Sequence, residues 1–331
     1  MEEKAMKNDN SNVKKTDAKG GISLFKSNEI MMLIVLIVVI AIFSIMNGNY
    51  LTYNNMTNIL VAASTIGMLA IGETFLIIAG HIDLSSAHIV SLFGVMTALL
   101  INGGMPWPLA MIIVVVVSSV VGLANSCLVN IFGLQPFIAT LAMSQVCEGV
   151  AYLICSGKSV PVNDVVFNEI GTTRVLGIPL PAIIMVILFI IFGLVLSKTV
   201  FGRSVYMIGG NPEAARLAGL NPKKISTILY VIAAMIAAFA GVMMTTRMHS
   251  GQPAGGAGSE FDAITAAILG GVAFSGGKGN LAGCFIGLLI MQCFNNGLTV
   301  INVSSFWQTV AKGLLLIAAL IFDYFRRKKL A

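Results

Sequence analysis

An all-α polytopic membrane protein of about ten transmembrane helices, each roughly 20 residues long, is predicted from three observations. Hydrophobic residues make up 57% of the 331-residue chain and charged residues only 10%. The mean hydropathy of +0.92 is far from that of an ordinary soluble domain. Apolar windows long enough to cross about 30 Å of hydrocarbon recur along the chain. Lysines and arginines cluster between those windows, so the net charge of +6 reflects topology. No basic groove with interleaved aromatics is present to suggest a nucleic-acid partner.

Residues 1–29 form a polar, lysine-rich segment without apolar periodicity, expected to be a disordered cytoplasmic tail. It is too long and too mixed in charge for a signal-peptide n-region, and no small-x-small cleavage site follows, so 30–46 is read as a retained first span. Further spans are expected near 57–79, 82–102, 109–132, 136–156, 179–199, 223–247, 261–277, 281–300 and 306–325. The eighth, 261–277, is the least hydrophobic and is open to a re-entrant reading. Residues 30–325 are thus one membrane domain, and no other segment is long enough to bury a core of its own. Residues 326–331 are a basic tail.

Cytoplasmic loops near span ends carry an excess of lysine and arginine. Three clusters stand out: Lys4, Lys7, Lys14, Lys15, Lys19 and Lys26; Lys198, Arg203, Arg216, Lys223 and Lys224; and Arg326, Arg327, Lys328 and Lys329. An even number of spans places all three clusters and Lys278 on the inside, with both termini, and leaves Lys158, Arg174, Arg247 and Lys312 elsewhere.

Between the sixth and seventh spans lies a polar loop, 200–222, that holds a short helix. Asn211 suits the cap, Pro212 the first helical position, Glu213 the positive end, and Gly219 the stop. A helix kept outside the bilayer in this way is a docking element, with Arg203 and Arg216 supplying exposed charge. It divides the chain into halves of about five spans, the arrangement of an inverted repeat. A fainter echo links Ala79-Gly80-His81-Ile82-Asp83-Leu84-Ser85 with Phe274-Ser275-Gly276-Gly277-Lys278-Gly279, both read as inner turns.

Ionisable residues at membrane depth are costly and therefore informative. Glu73 and Asp83 flank the inner half of the second span, Glu148 lies in the fifth, and Glu260 and Asp262 open the eighth. Asp83 is placed to cap the third span, whereas Glu73 either lines a pathway or bonds a neighbouring helix. Asn58, Asn125, Gln145, Gln292, Asn295 and Asn296 either bond neighbouring helices or line a path for a hydroxyl-rich solute. Glu73, Asp83, Asn125, Gln145, Gln292 and Asn295 are the candidate path or gating residues.

No catalytic or metal motif is found. His81, His88 and His249 are scattered, and Cys127, Cys147, Cys155, Cys284 and Cys293 lack C-x-x-C spacing and read as small buried side chains. Lys278 is followed by Gly279, and Val272 stands where a phosphate loop needs glycine, so no nucleotide or other cofactor is expected on this chain. The glycines around 270–287 read as close helix packing and sharp turns.

These motifs together resemble the membrane permease subunit of bacterial ABC importers for ribose, xylose, arabinose and related sugars, within the branched-chain amino acid and ribose permease superfamily. The likeness extends from about Tyr50 to Phe325. Its markers are Asn58-Ile59-Leu60, Gly72-Glu73-Thr74-Phe75 running to Gly80-His81-Ile82-Asp83-Leu84-Ser85, and Pro136-Phe137-Ile138-Ala139-Thr140-Leu141. They continue through Thr199-Val200-Phe201-Gly202-Arg203, Gly209-Gly210-Asn211-Pro212-Glu213-Ala214-Ala215-Arg216, and Glu260-Phe261-Asp262-Ala263-Ile264 to Leu269-Gly270-Gly271. The chain departs from the family pattern at His81, Ser86 and Ala87, and has Glu73 where the family commonly has glutamine.

The resemblance implies a multi-pass subunit of the bacterial cytoplasmic membrane, paired with a second copy or a sibling permease. It further implies a cytoplasmic ATP-binding subunit, of single- or tandem-domain form, that uses ATP and magnesium, and an extracytoplasmic sugar-binding protein. The 211–219 helix would then seat on the ATPase. A stand-alone ion-coupled transporter of a small polar solute, with Glu73 or Asp83 as the protonatable group, is the alternative.

Overall fold

The computed structural model describes residues 20–330. The expectation of a disordered tail therefore lies outside the described residues for 1–19, and the chain is helical from Gly20 onward. In order, α1 (Gly20–Met46), α2 (Tyr53–Ile78), α3 (Ser86–Asn102), α4 (Trp107–Asn130) and α5 (Pro136–Ile154) are followed by α6 (Val165–Thr172) and α7 (Leu180–Lys198). Then come α8 (Val200–Gly210), α9 (Pro212–Leu217), α10 (Pro222–Met248), α11 (Ser259–Leu269), α12 (Leu281–Val300) and α13 (Ser305–Leu330). Four two-residue strands, β1 (Val160–Pro161), β2 (Arg174–Val175), β3 (Ile178–Pro179) and β4 (Ser250–Gly251), pair as β1–β4 and β2–β3. The protein is an all-α polytopic membrane protein.

Eight described helices are long and apolar enough to cross a membrane. The count of about ten is met only if two shorter helices are included, and these are the predicted third and eighth spans. α3 has 17 residues and α11 has 11, which at 1.5 Å per residue gives about 25 Å and about 16 Å. Both are cut short by backbone that cannot continue a helix. Gly80 is left-handed (φ +82°) ahead of α3, and Gly258 (φ +85°) and Gly271 (φ +85°) bracket α11. Hydropathy windows register apolar content across such breaks and do not see them.

The connections sort into two ends. At one, β1 pairs with β4, Asn102 Nδ2 donates to Pro161 O at 2.8 Å, Tyr53 Oη to Gly177 O at 2.5 Å, and Asn47 Nδ2 to Val300 O at 2.9 Å. At the other, Gly277 N donates to Ile78 O at 2.8 Å, Asn130 Nδ2 to Lys223 O at 3.3 Å, and Asn280 Nδ2 to Glu29 Oε1 at 3.4 Å. Phe274 N donates to Asp323 Oδ2 there at 3.4 Å. The inner turns read from the sequence, the 200–222 loop, Glu29 and Asp323 thus share one end.

α2 and α10 form the centre. α2 packs on α7, α10, α11 and α12, while α10 packs on α2, α3, α4 and α6. Small residues permit the approach: a Cβ on Gly122 of α4 would strike the Tyr230 carbonyl of α10, and one on Gly287 of α12 the Ala266 carbonyl of α11. α1 and α13 lie at the periphery, with 11% and 6% of their apolar windows buried. Cys147, Cys155, Cys284 and Cys293 are buried and unpaired, in line with their reading as small apolar side chains.

Candidate coupling loop and buried polar cluster

The 200–222 loop folds as two helices where the sequence predicts one. Thr199 caps α8, its Oγ1 accepting from Gly202 N at 3.0 Å. α8 buries Gly202, Ser204, Val205 and Ile208 and leaves Arg203 exposed. Asn211 then caps α9 as expected, its Oδ1 accepting from Glu213 N at 3.1 Å and Ala214 N at 3.0 Å. Gly219 (φ +86°) ends the turn. Ala215 anchors this helix to the body, while Asn211, Pro212, Glu213, Arg216 and Gly219 face solvent.

Arg216 grips Glu213 with two hydrogen bonds, Nη2 to Oε1 at 2.6 Å and Nε to Oε2 at 3.1 Å. That bond holds the Glu213 carboxyl below its ordinary pKa and raises that of Arg216. Both side chains are more than 60% exposed (62% and 65%), so solvent screens the pair and it adds little to stability. Its geometry presents a fixed pair of opposite charges outward.

Immediately before the cap, backbone meets backbone. A Cβ on Gly209 would collide with the Ile78 carbonyl at the end of α2, and one on Gly277 would lie 2.9 Å from Gly210 Cα. A Cβ on Gly276 would lie 2.8 Å from Gly209 O and 3.2 Å from Gly80 N. Tyr206 Oη of α8 donates to Gly279 O at 2.7 Å. The two echoing turns therefore close on each other and on the entry to α9. The end of α8, which leads directly into α9, is thus packed against the end of α2 and the turn before α12.

From that junction the chain enters a buried polar cluster. Glu73 of α2 is 1% exposed and Asp83 0%. Asp83 Oδ1 accepts from Ser85 N at 2.8 Å and Ser85 Oγ at 2.5 Å. It does not cap an amide inside α3 but closes the turn that leads into it. Asn125 Nδ2 of α4 donates to Ser85 Oγ at 2.8 Å and reaches Asp83 Oδ1 at 3.4 Å. Glu73 accepts from Ser86 Oγ at 3.2 Å and Asp83 N at 3.4 Å, and Thr140 Oγ1 of α5 accepts from Leu84 N at 3.1 Å.

The structure thus unites Glu73, Asp83 and Asn125, and adds Ser85, Ser86 and Thr140, which sequence reasoning missed. The other candidate path residues stand apart. Gln145 lies on the exposed face of α5. Gln292 is buried in α12 with Nε2 unpartnered, as is Asn295 Oδ1, and Asn296 pairs with Asn55 at 2.8 and 2.9 Å. Asp262 is matched by Lys312 of α13 at 2.8 Å, which accounts for the lysine inside a span. The hydrogen bonds to Asp83 and Glu73 all come from neutral donors within the cluster.

Comparison with known proteins gives a consistent result. The family described as branched-chain amino acid transport system / permease component matches residues 55–320. The ribose import permease protein RbsC of Bacillus subtilis (strain 168) is 39% identical over 298 residues, covering 89% of this chain and 92% of that protein. The L-arabinose ABC transporter permease protein AraH of Azospirillum brasilense is 35% identical, with 94% of this chain and 92% of that protein covered. The L-arabinose transport system permease protein AraH of Escherichia coli (strain K12) is 37% identical, with 90% of each covered. No solved structure matches.

Proposed function

Because the chain belongs to the branched-chain amino acid transport system / permease component family, we propose that it is the membrane-spanning permease subunit of an ATP-driven importer that admits a ribose- or arabinose-like sugar. Near-full-length similarity to ribose and arabinose permeases carries this reading. The chain is not an enzyme; ATP hydrolysis belongs to a partner ATPase. The family assignment favours this over an ion-coupled stand-alone transporter.

The exposed α9, with its Glu213–Arg216 pair, is the surface that seats on a cytoplasmic ATP-binding subunit, of tandem-domain form. Asn211, Pro212 and Gly219 set its geometry, and exposed Arg203 on the neighbouring α8 adds charge to the same surface. An extracytoplasmic binding protein delivers the sugar, and a second copy or sibling permease completes the pore in the bacterial inner membrane. Glu29 and Asp323 lie at the α9 end of the molecule, which supports cytoplasmic termini. Counting α3 and α11 as crossings gives ten. The reciprocal packing of α2 on α11 and α12, and of α10 on α3 and α4, supports an inverted relation between the halves.

The reading is tested by co-reconstituting the chain with its ATPase and binding protein in liposomes and measuring uptake of labelled D-ribose and L-arabinose. ATP-dependent uptake that needs all components is expected. Uptake that persists without the ATPase and collapses with an uncoupler would replace this reading with the ion-coupled one.

A further inference from the structure

Beyond the Glu73–Asp83 cluster the polar groups continue toward α5 and α11. The 251–258 segment dives against α3: Gly256 N donates to Ser91 Oγ at 2.9 Å, and a Cβ on Gly256 would collide with the Ala87 carbonyl. This places the first turn of α11, with Glu260, beside the start of α3, which carries His88. His88 is clamped from the other side by α5. Its Nδ1 shares a 2.9 Å hydrogen bond with Ser144 Oγ, and its Nε2 lies 3.7 Å from Glu148 Oε2.

Two features separate this group from an internal structural network. Glu260 is 6% exposed and its Oε2 has no partner, so a buried acceptor stands unmet, a costly state unless a ligand fills it. Glu148 keeps a 36% exposed side chain within a membrane span, where contact with lipid is unfavourable. Lys312 is already engaged by Asp262, which leaves the cluster with acceptors in excess of donors. A neutral solute rich in hydroxyl groups supplies the missing donors.

We infer that His88, Ser144, Glu148 and Glu260 form a binding station for a neutral polyhydroxyl solute within the membrane, the two carboxylates accepting hydrogen bonds from its hydroxyl groups and the imidazole, held between Ser144 and Glu148, orienting the α5 side. The inference rests on the permease reading and names where inside the chain the cargo is recognised.

The test uses the complete reconstituted importer with Glu148→Gln and Glu260→Gln, and reads labelled D-ribose and L-arabinose delivered per ATP hydrolysed, binding-protein-stimulated hydrolysis, and thermal stability of the purified complex. Each variant is expected to keep assembly and stimulated hydrolysis while delivering about tenfold less sugar per ATP, the loss of one charge-assisted hydrogen bond. Wild-type delivery in both variants overturns the station and leaves the permease reading intact. Loss of stimulated hydrolysis in step with uptake also overturns it, assigning the cluster to coupling. If Glu260→Gln does not assemble, half-exposed Glu148 decides alone. Wild-type complex that transports neither sugar overturns the permease reading for these sugars, and the station with it.

Discussion

Glu213 and Glu73 are the same residue in opposite settings, and the contrast separates the two working parts of the molecule. Glu213 finds Arg216 three residues away in solvent, so its partner is set by one helical turn. Glu73 finds Ser86 and the Asp83 amide across the turn that separates α2 from α3, fully buried. The outer pair is cheap to change and faces solvent. The inner cluster is costly to change, because its polar groups have lost water and are held by local turn bonds and by neighbours from other helices.

The largest effect is expected at Asp83. Asp83→Ala leaves the buried Ser85 amide and hydroxyl without their acceptor and should lower stability by about 2–3 kcal/mol, read as a fall in the thermal unfolding temperature in detergent. Glu73→Gln keeps an acceptor for Ser86 and Asp83 N, and should cost less than about 1 kcal/mol. Equal losses in the two variants would erase the distinction between a turn-closing and a replaceable carboxylate.

The glycine junction comes next. Gly209→Ala forces a methyl group into the Ile78 carbonyl and should cost about 1–3 kcal/mol, with weakened binding-protein-stimulated hydrolysis. Gly210→Ala, with nothing within 4 Å of the new Cβ, should be nearly silent. Stimulated hydrolysis that is equally normal in both would remove the junction from the coupling route.

At the cap, Asn211→Ala deprives the Glu213 and Ala214 amides of their acceptor and should cost about 1 kcal/mol, with helical order around 212–217 the readout, by hydrogen exchange. The smallest change in stability belongs to Arg216→Glu, within about 0.5 kcal/mol, because the side chain is exposed. Its docking penalty against an ATPase should nonetheless reach several kcal/mol. Reconstituted variant that inserts normally and shows wild-type stimulated hydrolysis would release α9 from the coupling role.

How much was legible follows from the range of each interaction. The α9 helix was readable to the residue because Asn211, Pro212, Glu213 and Gly219 act on backbone within four positions of themselves. α8 was missed because its apolar face, Val205 and Ile208, is defined by packing on the body and carries no strong start or stop signal beyond Thr199. The kinship of the two inner turns could be noticed in their glycines, but their contact through Gly277 N and Ile78 O could not. His88, Ser144 and Glu260 were scattered polar residues until α3, α5 and α11 met.

Apolar windows about 20 residues long and clustered basic residues are properties of the chain in water and lipid, and they alone determined a helical, multi-pass membrane protein with an exposed central helix. The tertiary structure decided which predicted spans are half-length, since left-handed glycines at 80, 258 and 271 stop a helix without changing local hydropathy. It also decided which of many membrane-depth polar groups converge. Glu73, Asp83 and Asn125 are separated by 10 and 42 residues, and only the packing of α2, α3 and α4 closes those distances, because a buried polar group is satisfied by whatever the fold brings within hydrogen-bond reach.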